Sequence, residues 1–372
     1  MHMSRDFVKL IVLLWLALTT ASGQQLKIQV SLPQTVPGII LGAAFNDKGK
    51  EFFVQDFTFD STTNGQVGRR RISAWNLSKL EMQGNPRVDE YPAASSKYPC
   101  GRIVFAPAMN DVIVCSQGTS LEFLDAGSLA LKERREMSGL GAIFDFAVDE
   151  SLDTLLILSV SSDQKIHLIS YSLKGQTQKS DLVVGSSYAV SSLSMEVSSS
   201  KKLAAIADTV AEKERGILYV CSYDQGLECK TFGGGPPISQ ISFLAGHLLF
   251  ASSSFPDDKQ ACITSVNLST GARTKAYCAP GTGVHYAVGV LGGKYIVGYT
   301  GLRSTNWFTE NAKVVESSFA VWKPQNIQPW AKVNDPTKGK GLQAFRVVTS
   351  KSLPYFIGFA FSNDFTVYRI LE

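Results

Sequence analysis

The sequence predicts an all-β fold, a seven-bladed β-propeller of four-stranded antiparallel blades. Three observations predict it. Residues 102–137 read RIVFAPAMNDVIVCSQGTSLEFLDAGSLALKERREM, four short strand-forming runs, each closed by a turn signal. The first two runs, 103–106 and 112–115, are almost wholly apolar, as strands covered on both faces must be. The third, 121–125, alternates, and the fourth, 129–136, is thick with Lys132, Glu133, Arg134, Arg135 and Glu136, so it faces water. Polarity that rises outward is the signature of a blade whose inner strands lie between neighbours and whose last strand forms the rim. The second observation is that this pattern recurs at roughly fifty-residue intervals, as repeat architectures do. The third is composition: only 18% of residues are charged, below the roughly 25% of ordinary soluble domains.

Taken in order, residues 1–23 predict a cleaved secretory signal. Arg5 and Lys9 accompany an apolar run at 8–18, and Ala21, Ser22 and Gly23 offer a cleavage site before Gln24. The run is shorter than the roughly 20 apolar residues that cross a bilayer. No later segment is long enough, so no membrane span is expected after cleavage; an uncleaved anchor is the alternative. Residues 24–372 show no linker, low-complexity tract or composition break and predict a single domain.

That domain begins with a lone alternating strand, LKIQVSL at 26–32. The first blade follows from Pro37, with runs at 39–45, 51–57, 71–77 and 80–88, and residues 102–137 are the second. The third starts at Ile143 (IFDFAV, TLLILSV, KIHLISYSL, then a polar rim at 176–184); the fourth spans about 190–232, the fifth 238–277, and the sixth 285–333 with the largest insertion. The seventh offers FRVVTS, PYFIGFAFS and FTVYRILE, three strands before the chain stops at Glu372. Pairing 26–32 with 365–371 supplies its missing strand, closes the ring and hides two edges that would otherwise template aggregation.

The segments FAPAMNDVIVCSQGTSLEFLDAGSL from Phe105, AAFNDKGKEFFVQ from Ala43 and RISAWNLS from Arg71 resemble degenerate WD40 or YVTN-type repeats. Trp75-Asn76 and Trp322-Lys323 stand where those families place Trp-Asp, Asp125 stands there in another copy, and no copy has the Gly-His pair at its place in a WD40 repeat, the chain's one Gly-His, Gly246-His247, lying inside the fifth copy. The resemblance implies architecture, and a scaffold of the kind that most often serves as an interaction platform.

Six cysteines accompany the export signal. Cys221 and Cys229 are symmetric about Gln225 in a hairpin whose loop ends in Gly226, and Cys262 and Cys278 are symmetric about Thr270 in one ending in Gly271. Cys100 and Cys115 bracket the first hairpin of the second blade in the same way. Cysteines opposed across antiparallel strands lie within disulfide reach, so three local staples are expected. Six buried thiols are the alternative. A metal site would want tighter clusters with histidine, and His167, His247 and His285 have no cysteine at ligand spacing.

The formal net charge is +4. Loss of the signal, with Arg5 and Lys9 against Asp6, lowers it by one, and so small a dispersed excess does not suggest nucleic acid. In such a blade the loops between second and third strands share a face with the blade connections. The long loops, at 60–70, 209–216, 255–260 and 300–317, are all of that kind, and long loops on a rigid scaffold usually carry binding. Candidate binding residues there are Arg69 and Arg70 (with Arg71, a cluster for an anion) and Arg303, Trp307 and Phe308 (a platform for a sugar or protein). His285, Lys338 and Lys340 belong to blade connections at the channel mouth. Each has a plainer reading, as a solvated loop end, a ring folded over a neighbouring blade or ordinary turn chemistry. Asp145 and Arg346 interrupt first strands that otherwise carry apolar residues or serines such as Ser194 and Ser242, and a buried charge there needs a partner, by expectation an interblade hydrogen bond.

No catalytic residue is assigned, since the chain has no Gly-x-Ser-x-Gly elbow, His-Glu-x-x-His helix, phosphate loop or EF-hand loop. The reading is an exported, periplasmic or extracellular, disulfide-stapled monomeric propeller that binds a protein or glycan through its long-loop face and needs no cofactor or metal. The alternative is a lactonase-like hydrolase or quinoprotein-like oxidoreductase with its site at the channel mouth, using His285, Asp145 or Asp56. Asn76-Leu77-Ser78 and Asn267-Leu268-Ser269 fit the N-glycosylation pattern.

Overall fold

A computed structural model describes residues 27–371 except 60–66, 93–100, 117, 138, 187–191, 211–214, 233–237, 246, 253–260, 280–283, 304–313, 325–329, 335–345 and 360–362. The expected signal at 1–23 lies outside the described residues. After β1 (Lys27–Val30) and β2 (Gln34–Thr35), the first blade is β3 (Ile39–Asn46), β4 (Glu51–Phe59), β5 (Val67–Asn76) and β6 (Met82–Pro92). The second is β7 (Ile103–Ala106), β8 (Asp111–Ser116), β9 (Ser120–Asp125) and β10 (Leu131–Glu136). The third is β11 (Ala142–Asp149), β12 (Thr154–Val160), β13 (Lys165–Ser172) and β14 (Gln178–Ser186). The fourth is β15 (Ser192–Ser198), β16 (Leu203–Val210), β17 (Arg215–Ser222) and β18 (Glu228–Phe232). The fifth is β19 (Ile238–Leu244), β20 (His247–Ser252), β21 (Ala261–Asn267) and β22 (Arg273–Ala279). The sixth is β23 (Val284–Leu291), β24 (Tyr295–Arg303), β25 (Val314–Trp322) and β26 (Ala331–Asn334), and the chain ends in β27 (Arg346–Thr349), β28 (Tyr355–Phe359) and β29 (Asp364–Leu371).

Each of the first six blades is an antiparallel meander, and the seventh sheet runs β1-β29-β28-β27, with β2 also on β29. The first segment of the chain therefore closes the ring as expected, in a register from Lys27↔Leu371 to Val30↔Tyr368. Alternation explains why that register holds. A slip of one residue would turn Ile28 and Val30 away from the apolar cluster of Phe319, Phe356 and Tyr368 against which they pack.

Seven apolar seams, one between each pair of neighbouring blades, form the core. The second strands contribute to every seam, on both faces: Phe52 and Val54 face the seventh blade while Phe53 faces the second. Burying one such side chain is worth about 1.5–3 kcal/mol. At the closing seam, Trp75 meets Phe365 edge-on at 5.2 Å and Phe52 near-parallel at 6.3 Å.

A shared turn chemistry locks the third strands. In four blades the turn after the first strand ends in a residue of positive φ, Lys50 (51°), Asn110 (55°), Asp153 (49°) and Lys202 (55°). Its carbonyl accepts a hydrogen bond from the residue just after the third strand: Leu77, Ala126, Leu173 and Tyr223, respectively. The third strand itself ends in Asn76, Asp125 or Asn267, whose side-chain oxygen caps the next turn by accepting from backbone N–H groups two and three residues on, at 2.9–3.1 Å. Asn76 and Asn267 thus cap their turns in the same way as Asp125 does. Both possible glycosylation asparagines spend their oxygen this way.

Cys221 and Cys229 are directly opposed on β17 and β18 and form a disulfide. Cys262 is also disulfide-bonded, with Cys278 opposite it in the ladder. The staple expected between Cys100 and Cys115 is a correction: Cys115 is a buried thiol, and Cys100 lies outside the described residues. The register Ile103↔Val114, continued by one residue, sets Cys115 beside Arg102, because the turn sits one position later than the cysteine symmetry implied. The Cys221–Cys229 bond closes a loop with a separation of 8 residues. Replacing both cysteines by serine is expected to lower stability by about 2.5 kcal/mol on loop entropy, read as an earlier urea midpoint at unchanged slope.

Among the described residues no helix is long and apolar enough to cross a membrane, and no three His, Cys, Asp or Glu side chains gather as a metal site.

Candidate functional site

All seven first strands face the axis, where they line a channel of about 470 Å³. A strand covered on both sides should be apolar, and the charges that break this rule are what the channel collects: Arg102 just before β7, Asp145 on β11, Glu196 on β15 and Arg346 at the start of β27. Lys48 and Lys351 join them from the turns that follow first strands, so the channel reaches the end of the ring opposite the long loops.

Local irregularity aims these side chains. β3, β11, β19 and β23 each slip register at the same place, between Ile40 and Gly42, Ile143 and Asp145, Ile238 and Gln240, and His285 and Ala287. A bulge adds one residue and turns the next toward a new direction. Gly42, Asp145 and Gln240, each just after its bulge, line the channel. Gly42 also lets two blades touch through their backbones, since a Cβ there would lie 2.0 Å from the Gly101 carbonyl oxygen.

Asp145 does make the expected interblade hydrogen bond. Its Oδ2 accepts from the Met195 backbone N–H of the fourth blade at 2.7 Å, its Oδ1 from Phe146 N–H at 2.8 Å, and the Arg102 guanidinium stands at 3.6 Å. Arg102 reaches Glu196 as well, at 3.5 Å. Enclosure by the ring holds the Glu196 carboxyl above the usual glutamate range, with Arg102 and Lys351 opposing and the Asp145 charge adding to the rise. Gln240 spans from the fifth blade to the seventh: its amide donates to the Val347 carbonyl (2.7 Å) and accepts from Val347 N–H (3.2 Å). That clamp fixes the backbone beside Arg346. Arg346 differs from its neighbours, for among the described residues its side chain makes no hydrogen bond, although it faces the channel and feels the charges of Asp145 and Arg102. Desolvation pulls its pKa below the ordinary arginine value, Arg102 adds to the fall, and Asp145 opposes it.

The other expected site residues are dispersed. Arg69, Arg70 and Arg71 are not a loop end: β5 begins at Val67, and they pair with Thr58, Phe57 and Asp56 of β4. Cross-strand partners extend the hairpin here, Arg69 to Glu90 at 2.9 Å on the surface and Arg71 to Asp56 at 3.0 Å in the seam. Arg70 is wholly buried, bound to Asp89, Glu122 and the Cys115 carbonyl between the first two blades, so it has no surface to offer a ligand. His285 stands on β23 and Arg303 ends β24. Trp307, Phe308, Lys338 and Lys340 lie outside the described residues.

Arg102, Glu196, Gln240 and Lys351 were not anticipated. The signal that singled out Asp145 and Arg346, a charge inside an apolar first strand, is equally present in GRIVF and SLSMEVS. No protein-family model matches this chain, and no curated protein matches it, so the fold and the channel carry the functional reading on their own.

Proposed function

We propose that the protein is an exported binding module of the degenerate WD40 or YVTN-like kind, monomeric, meeting a protein or glycan on the face where its long loops converge. The observation that carries this is the unequal length of the connections. The segments 60–66, 253–260 and 304–313, each joining second to third strands, leave the ring at the same end as the blade connections 93–102 and 335–345. Connections at the other end are no longer than five residues except 323–330. A rigid ring with long segments at one end is the usual build of a binding platform. The disulfides support export, because they persist in oxidising compartments.

The test compares wild type with a Trp307→Ala, Arg303→Ala double variant on a glycan array and in capture from an extracellular protein fraction. Loss of about ten-fold or more of a specific signal is expected, as for an aromatic and an arginine anchor. Equal recovery would sink the long-loop reading.

A hydrolase or oxidoreductase at the channel is the second reading, favoured by the meeting of Asp145 and Arg346 in one cavity. Against it, Asp145 already accepts two backbone N–H groups and faces Arg102, so its carboxylate is held as a strut rather than left available as a base.

A further inference from the structure

We propose that the central channel binds a small monocarboxylate with an apolar body, its carboxylate seated on the Arg346 guanidinium. Arg346 opens β27, at the end of the ring where the long loops leave, but the assignment does not depend on what those loops bind.

Charge balance selects the ligand's charge. Among the described residues four cations line the channel, Lys48, Arg102, Arg346 and Lys351, against the three carboxylates Asp47, Asp145 and Glu196. The walls therefore hold one surplus positive charge. Most of the other groups have partners. Asp47 accepts from Ser350 and Ser352 at 2.7–2.8 Å, Asp145 is held by two backbone amides, and Arg102 spans Asp145 and Glu196. Arg346 is the guanidinium left with its donors unspent, on a strand held in place by the Gln240 clamp. Arg346 is exposed to the lumen, and an arginine fork offers two parallel N–H donors, which match the planar geometry of a carboxylate.

The rest of the lining selects the body. Val104, Phe144, Val197 and Val348 border the channel and are only half-buried, so they present apolar surface to whatever enters. A cavity of about 470 Å³ is of ligand size. Asp145 and Glu196 within the same walls disfavour a second negative charge, which argues against a phosphate dianion.

Calorimetric titration of the full-length protein with benzoate, with its neutral isostere benzamide, and with inorganic phosphate tests the assignment. Benzoate is expected to bind with a Kd of about millimolar or tighter, and benzamide and phosphate at least about ten-fold more weakly. Arg346→Gln is expected to lower benzoate affinity about ten-fold or more, Arg346→Lys less, and Lys230→Gln, exposed on the outermost strand β18 and away from the lining, not at all. Benzamide or phosphate matching benzoate in the wild type would overturn the proposal without recourse to any variant. Benzoate affinity unchanged in Arg346→Gln would overturn it as well.

Discussion

Arg70→Ala is expected to destabilise the protein by about 3 kcal/mol or more, making it one of the most damaging single changes in the ring. The Arg70 and Glu122 side chains are both fully buried and bonded to each other across the seam between the first and second blades. Arg70 also donates to Asp89 at 2.7 Å and to the Cys115 carbonyl at 2.8 Å. Truncation takes this donor from the fully buried Glu122 carboxylate and Cys115 carbonyl, while Asp89, partly exposed, keeps Arg87 as a partner, and an orphaned buried acceptor costs more than the bond contributed. Arg134, which is half exposed, still donates to the other oxygen of Glu122 from Nε at 3.0 Å, so the charge keeps one partner and the loss stays toward the lower end of that range. The control is a cycle. Glu122→Leu alone strands Arg70, whereas Arg70→Met with Glu122→Leu removes both charges and should recover most of the loss. The measurement is the urea midpoint of the four proteins. Additive single effects would show that the pair is no unit and that this seam rests on its apolar contacts alone.

Arg70 also shows where reading a sequence ends. Strands, blade number and closure were legible because they depend on local alternation and on turn residues, and because the three-strand deficit at the tail matched the lone strand at the head. Two cysteine hairpins were legible through symmetry about a glycine-ended loop. The Cys100–Cys115 hairpin failed since its turn, at 107–110 between β7 and β8, lacks such a marker and sits one position off the centre. Arg70 was misread as part of a solvated run because its partners lie 19 and 52 residues away and only packing of blades unites them. Bulges were invisible too: one extra residue in a first strand leaves the alternation of its neighbours almost intact, yet it decides that Asp145 and Gln240 look into the channel. What was legible of the channel was the anomaly itself, a charge where a doubly covered strand should be apolar.

The same kind of anomaly makes stability depend on pH at Asp208. This residue is 1% exposed on β16, directly between Leu193 and Ile217, and its strand face packs on Leu156, Leu158 and Val160 of the third blade through Ala204 and Ile206. Among the described residues neither carboxyl oxygen has a hydrogen-bond partner. Desolvation alone pushes its pKa from 3.8 up to about 6. The unfolded chain releases this proton near 3.8 and the folded chain near 6, so between those values the folded state binds more protons. The contribution of Asp208 to stability is therefore greatest in acid and falls as pH rises through this window, by about 3 kcal/mol in all at roughly 1.4 kcal/mol per unit. Asp208→Asn should abolish that fall, so that its stability relative to wild type improves by about 2.4 kcal/mol from pH 4 to pH 7.5, whatever the constant cost of a buried amide. The first blade suggests a second remedy. Asp56 faces the preceding blade at the matching place on β4, and there the opposed residue is Arg71, at 3.0 Å. Ile217 occupies that opposed position in the fourth blade, so Ile217→Arg should supply Asp208 with the missing partner and flatten the same pH dependence while leaving the aspartate in place. Urea unfolding of the three proteins at half-unit steps of pH decides it: parallel curves would mean that Asp208 is ionised at no cost, and the seam between the third and fourth blades would then have to contain a donor the buried face does not display.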